Sequence, residues 1–357
     1  MRLTECDPRI SQLRALYRRR GNSAIVLTQP MNLSWLLGGR MQIGIAGSGA
    51  VCTAVINDAE VVLITNNIEA RRLQEEEVGD VPRILALPWA DGEPAVQAQA
   101  ELAGNAPLLE ADCAEELQQL RSCLQGTQEQ EAAQVAALCS SAVERAVLLI
   151  HPGMTEWEAS GVLSGCAVAN GLIPNVLFTP ADEHIARYRH ALSGPYPLKK
   201  TMMLSMGAQK NGLYASITRF VSFGRPEEVF LSAQEKTCQV AAMLYSETRP
   251  GKQYGTLFAQ LKRRYAKVGA GEQIALHHQG GMGGFQTREN RLTPDLPGQV
   301  QAHQLYAWNP SVTGFKSEDM LLVGENENRI LTRTEIFPHK TFYYKDQAWD
   351  MPQVLIL

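Results

Sequence analysis

The sequence has no apolar run near the ~18 residues that a membrane-crossing helix needs, so no membrane span is expected. Its opening stretch, MRLTECDPR, has no apolar core of the kind a secretory leader carries. The seven cysteines are odd in number and include no Cys-x-x-Cys pair and no metal-ligand spacing. Reduced thiols in a cytoplasmic protein are therefore expected, with neither a disulfide framework nor a thiolate metal site. Net charge is only −4, and basic residues bunch only at Arg18–Arg20 and Lys262–Arg264. Both runs fall in helical patterns and read as solvated faces, so no nucleic-acid partner is expected. There is no low-complexity segment and no internal repeat.

What is present is an ordinary globular composition, 45% hydrophobic and 20% charged, over a length sufficient for two domains. Residues 10–20 pattern as an amphipathic helix. Short strands are expected at 24–28, 49–56, 57–65, 83–88 and 107–112, with helices over 68–77 and 93–103. That alternation predicts a small α/β domain with a mixed sheet over residues 1–125. A second domain, 126–357, opens on about six turns of helical spacing from Gln128. Thr155 with Glu158 three residues on reads as a capping box. Helices are expected over 231–247 and 254–267. The densest signal is TMMLSMGAQKNGLYASITR, residues 201–219, which reads as two strands joined by a turn containing Gly212. Ser205 and Ser216 stand eleven apart on it.

These residues resemble a known family. The pita-bread hydrolases (aminopeptidase P, prolidase, methionine aminopeptidase, creatinase) carry Asp-x-Gly, then Gly-Tyr, then Ser-Asp-Ile-Thr-Arg at this place. The resemblance covers Gln128 to about Thr334. It includes the Pro152–Glu156 phrase, and Asn32–Gly38 resembles a phrase of the creatinase-type N-terminal domain. It implies an α+β fold: a small α/β N-terminal domain followed by a curved antiparallel sheet with flanking helices. It also implies a dinuclear site of two Asp, one His and two Glu. Here Ser205 and Ser216 stand where the Asp residues would be, Gly281 where the His would be, and Asn309 where the first Glu would be. Glu318 is the one ligand left. Hydroxyls and an amide cannot offset the charge of two divalent ions, so no metal and no other cofactor is expected. The phrase from His277 to Gly281, with Trp308-Asn309-Pro310 downstream, resembles a metal-free branch of the family.

By resemblance, His190 is the proton shuttle and Glu318 the carboxylate that holds a cation or a water, as in creatinase. A surface histidine beside Arg187 and Arg189 is the plainer account of His190. His277, His278 and Gln279 are read as substrate-binding. If they lie on a strand, adjacent histidines point to opposite faces, so only one would reach the pocket. Arg288 is placed to receive a substrate carboxylate or to be a solvated loop arginine beside Arg291. Arg219 is read as a substrate contact or as a brace on the hairpin. Asn309, Ser205 and Ser216 complete the pocket; neither serine has the strained turn that a nucleophile needs.

The reading that results is a metal-independent hydrolase, or a lyase, cleaving a C–N bond in a small amino-acid-like or peptide-like substrate. The family resemblance adds a homodimer. Two alternatives stand beside it: a non-catalytic ligand- or peptide-binding protein on the same scaffold, and a metallo-aminopeptidase with an atypical site.

Overall fold

The computed structural model describes residues 7–44, 49–79 and 82–357; the leader reading of MRLTEC therefore falls outside the described residues. The chain divides into two compact units, residues 1–122 with 211–213, and residues 123–210 with 214–357.

The first unit carries α1 (Pro8–Arg19), β1 (Ala24–Leu27), α2 (Pro30–Leu37), β2 (Cys52–Ile56), β3 (Val61–Asn66), α3 (Ala70–Arg72), β4 (Arg83–Leu87), α4 (Glu93–Ala103), β5 (Pro107–Leu109) and α5 (Ala114–Ser122). Its sheet runs β4-β3-β2-β1-β5. The β1–β2 and β2–β3 pairs are antiparallel, whereas β3–β4 and β1–β5 are parallel, the mixed sheet that the alternating pattern predicts. The helix expected over 68–77 is only partly α-helical. After Arg72 it widens to a π-turn over Leu73–Val78, where Gly79 at φ 71° ends it. Residues 30–37 form α2, opened by Pro30 and closed by Gly38 in the left-handed region.

The second unit opens on α6 (Gln128–Val147), α7 (Glu156–Ala169) and β6 (Ile173–Phe178). Thr155 and Glu158 form the expected capping box, with Glu158 Oε2 accepting from Thr155 N at 2.7 Å and Thr155 Oγ1 from Glu158 N at 3.2 Å. A loop with the short α8 (Glu183–Arg187) leads to β7 (Thr201–Lys210) and β8 (Leu213–Ser222). The turn between them is Asn211-Gly212, both at positive φ (52° and 81°), the two-residue hairpin turn whose twist matches the strands. Next come α9 (Glu228–Glu247), α10 (Tyr254–Lys267), β9 (Gly280–Gly283), β10 (Leu305–Trp308), β11 (Ser311–Val312), β12 (Phe315–Lys316), β13 (Asp319–Leu322), β14 (Arg329–Ile330), β15 (His339–Tyr344), β16 (Gln347–Pro352) and β17 (Leu355–Ile356).

Two four-stranded sheets result, β17-β8-β7-β6 and β14-β13-β10-β9. Backbone bonds from Thr218 N to Glu318 O (3.1 Å) and from Tyr214 N to Gly284 O (2.9 Å) link them. The expected all-antiparallel sheet is interrupted at one edge, where β17 runs parallel to β8. Helix α9 is the spine of the core: Val240–Tyr245 are all fully buried, against Trp308, Tyr306, Leu321 and Phe315. Val240, Met243 and Leu244 each contribute roughly 1.5–3 kcal/mol by leaving water. That core fixes the two sheets whose facing strands carry the site.

Candidate functional site

The β7–β8 hairpin sets the geometry. Closing on Asn211-Gly212 puts Thr218 opposite Ser205, so Ser205, Ser216 and Thr218 share one face. Thr218 Oγ1 donates to Ser205 Oγ at 2.9 Å or to Glu318 Oε2 at 2.7 Å. Into this face comes a basic side chain two residues before Glu318, to which the sequence reading assigned no role. Lys316 Nζ donates to Ser205 Oγ at 2.7 Å and lies 2.9 Å from Glu318 Oε2. From the other side Arg288 Nη2 reaches Glu318 Oε1 at 3.2 Å, and its Nη1 reaches Ser216 Oγ at 3.4 Å. Ser205, Ser216, Lys316 and Glu318 are all buried. Burial pushes the Glu318 carboxyl up, but the Lys316 and Arg288 charges and the hydrogen bonds from Lys316 and Thr218 outweigh it, holding it at about 2.

Glu318 is a fixed anion near neutral pH, and the cation beside it is the protein's own Lys316. Arg288 is neither a solvated loop arginine nor a free carboxylate receptor, because one arm of its fork is committed to Glu318. Its Nε, though buried, has no hydrogen-bond partner.

The strand β9 closes the position where the resemblance puts a ligand histidine. A Cβ at Gly281 would lie 2.2 Å from Asn290 O, and one at Gly280, itself at φ 101°, would lie 2.1 Å from Ala307 O. No side chain fits at Gly281. With an ammonium group in the well and hydroxyls for carboxylates, the residues present do not fit a dinuclear metal centre. Asn309, which follows β10, is buried with Oδ1 unpartnered.

The three histidines come together beside this cluster, with His190 exposed and His278 half-buried. His190 sits on the loop between β6 and β7, which Glu156 of α7 ties down. Glu156 Oε1 accepts from Ala181 N (2.8 Å) and lies 2.8 Å from His184 Nδ1, while Oε2 accepts from Gly194 N (2.8 Å). The His190 ring stacks on Phe178, with centroids 5.4 Å apart. Its Nε2 lies 3.2 Å from His277 Nε2, one donating to the other. His277 Nδ1 lies 3.2 Å from Ser311 Oγ.

Residues 277–279 are not on a strand, which corrects the alternation argument: both rings turn toward His190, at centroid distances of 5.0 and 6.0 Å. Burial, then the neighbouring positive charges, lower the pKa of His190 and bring His277 to about 3 and His278 to about 4. All three imidazoles are thus neutral at neutral pH. Arg291, an exposed neighbour, adds to the positive field on His190 and His278.

Two residues read as substrate-binding face elsewhere. Gln279 is buried, accepting from Tyr265 Oη and donating to His277 O at 2.5 Å. Arg219, adjacent to Thr218 on β8, points to the opposite side of the strand. It braces Asp319 Oδ1 (2.8 Å), Thr332 O (2.6 Å), Thr334 Oγ1 (3.1 Å) and Thr218 O (2.8 Å). A polar cleft of about 900 Å³ opens beside that brace, lined by Arg249, Arg333 and Trp349 among others, and is separate from the histidine cluster.

The profile of metallopeptidase family M24 matches residues 130–325, more than half of the chain, and that of the creatinase/prolidase N-terminal domain matches residues 9–136. The chain belongs to family M24. Comparison with curated protein sequences finds no match.

Among solved structures, the prolidase from Pyrococcus horikoshii OT3 is similar at TM-score 0.74 and 16% identity, covering 92% of this chain and 99% of that one. The X-Pro aminopeptidase from Thermotoga maritima MSB8 gives 0.76 and 15%, covering 96% and 100%. The N-terminal domain of the FACT complex subunit SPT16 from chickpea gives 0.65 and 14%, covering 92% and 96%. At these identities the likeness establishes the fold: a creatinase-type N-terminal domain and the pita-bread domain expected from the sequence. Among the described residues, no helix is long and apolar enough to cross a membrane.

Proposed function

We propose that this M24 member is a hydrolase that cleaves a C–N bond in a small amino-acid-like or peptide-like substrate without a metal pair. His190 is the proton carrier. The carrying observation is the His190–His277 pair, 3.2 Å apart, beside a buried charge cluster in which Lys316 and Arg288 outweigh Glu318. That net positive field favours a substrate bearing a carboxylate and stabilises negative charge developing on an attacked carbonyl oxygen. Neutral His190 accepts a proton from water as the new C–O bond forms. It returns that proton to the nitrogen as the C–N bond breaks. Glu318 acts by holding Lys316, and so is a positioning residue.

The reading includes a homodimer, an extension from the family resemblance, and a cytoplasmic setting, an extension from the cysteine pattern. The test is turnover of Xaa-Pro dipeptides, acylated amino acids and guanidino acids by chelator-treated protein. Turnover that survives chelation and falls ~10²–10⁴-fold in His190→Ala supports the reading. Turnover that returns only with added metal sinks it. A second reading, a binding protein, is supported by the burial of the Lys316–Glu318 cluster and by the FACT subunit among the structural neighbours. Tight binding of a panel member with no turnover by any variant or wild type would select it.

A further inference from the structure

The ligand nitrogens of His190, His277 and His278 all lie within 4.8 Å of one another. Two ligands at ~2.0–2.1 Å from a tetrahedral zinc ion stand about 3.4 Å apart. The His190 Nε2 to His277 Nε2 distance is 3.2 Å, so this pair already has the spacing of two zinc ligands. The outer contact is in place as well: with the His277 proton on Nδ1, which lies 3.2 Å from Ser311 Oγ, the Nε2 lone pair points into the cluster. His278 is the adjustable member. It is half-buried, and its Nδ1 is held by one 3.3 Å hydrogen bond from Gly280 N, which the ring gives up as it turns inward. His190 is exposed, so a fourth position faces solvent.

We propose that His190, His277 and His278 form a site for a single borderline divalent cation, zinc or cobalt, distinct from the family's dinuclear centre. The donor set selects the ion. Three neutral nitrogens suit zinc and cobalt, whereas magnesium and calcium require oxygen ligands. Glu318, whose charge acts on all three rings, is committed to Lys316 and Arg288. Binding the ion through Nε2 moves the His190 proton to Nδ1 and leaves that ring no free lone pair, so the hydrolytic reaction proposed above belongs to the ion-free protein. The site itself does not depend on that reaction, because its test needs no substrate.

The experiment uses the full chain, stripped with chelator. Cobalt is titrated and followed by the visible ligand-field band of tetrahedral cobalt, then displaced by zinc, with ions per chain counted by elemental mass spectrometry. Wild type should bind one ion per chain. His190→Ala and His278→Ala should each weaken binding ~100-fold or more, since even outer-shell losses cost 10–100-fold. His151→Ala, at an exposed histidine, should bind as wild type. His190→Gln and His278→Gln, checked for an unchanged melting temperature, repeat the comparison in variants that keep side-chain volume. Absence of binding would show that the His190–His277 contact is only an N–H···N hydrogen bond. Equal binding by the His190 and His278 variants, two ions per chain, or magnesium binding as tightly as zinc would each overturn the site.

Discussion

Lys316 Nζ lies 2.9 Å from Glu318 Oε2 and 2.7 Å from Ser205 Oγ, so an ammonium group stands among the positions where the family's metal ligands would converge. Removing it leaves Glu318 buried with Arg288 as its one remaining charged partner among the described residues. A buried pair broken from one side costs about 3–5 kcal/mol. Lys316→Met should therefore lower stability in urea unfolding by that order. Lys316→Met combined with Glu318→Gln should recover part of the loss. If the two single losses simply add, Lys316 and Glu318 are not coupled, and the ammonium group does not offset the Glu318 charge.

The same carboxylate sets a pH dependence. Its pKa falls from the usual 4.5 to about 2 on folding. A depressed carboxyl pKa gives stabilisation that is complete above 4.5 and is lost as pH falls from there through about 2. The amount is roughly 3 kcal/mol. Glu318→Gln should remove this part of the acid slope, measured as unfolding free energy against pH across that window. An unchanged slope would mean that other carboxylates carry it.

Gly281 gives a steric prediction. With Asn290 O only 2.2 Å from its would-be Cβ, a backbone atom would have to move. Gly281→Ala should destabilise by at least ~1–3 kcal/mol. Gly161, on α7 with open space around it, supplies the contrast: Gly161→Ala should stabilise by roughly 0.5–1 kcal/mol. Thermal melts of the two variants should move in opposite directions.

These cases show what could be read from sequence. The hairpin, the capping box and the glycine pairs of β9 were legible because each is local, written in turn residues and short-range periodicity. The loss of ligands was legible for the same reason. The inward turn of Lys316 and the fork of Arg288 on Glu318 were not, since both depend on β12 and the 284–291 loop converging on β7 and β8 from far along the chain. The rings of His277 and His278 defeated a strand-alternation argument because the chain leaves a 3-10 turn at Ala275 and is not extended there. The one available signal for the trio was compositional: three of the seven histidines fall in His190 and the 277–278 pair.

Glu156 predicts how the His190 loop is held. Its carboxylate accepts the backbone N–H groups of Ala181 and Gly194, which bracket the loop. Glu156→Ala orphans both, at about 1–3 kcal/mol each. Amide hydrogen exchange should rise across residues 181–194 while α9 stays protected. Exchange unchanged in that loop would remove Glu156 from the positioning of His190.

Restoring the lost aspartates tests whether the dinuclear centre is recoverable. In Ser205→Asp with Ser216→Asp, the new carboxylates sit beside Lys316 Nζ and the Arg288 fork, whose present bonds to the two serines are 2.7 and 3.4 Å. Each aspartate then finds a cation already in place, so the protein's own charges compete with the metal. Gly281 still admits no histidine, and Asn309 supplies no charge. The double variant should bind manganese at far below two ions per chain by elemental mass spectrometry, and adding Lys316→Met should raise occupancy without reaching two. Two manganese ions per chain in the double variant would show that Lys316 yields its place to metal.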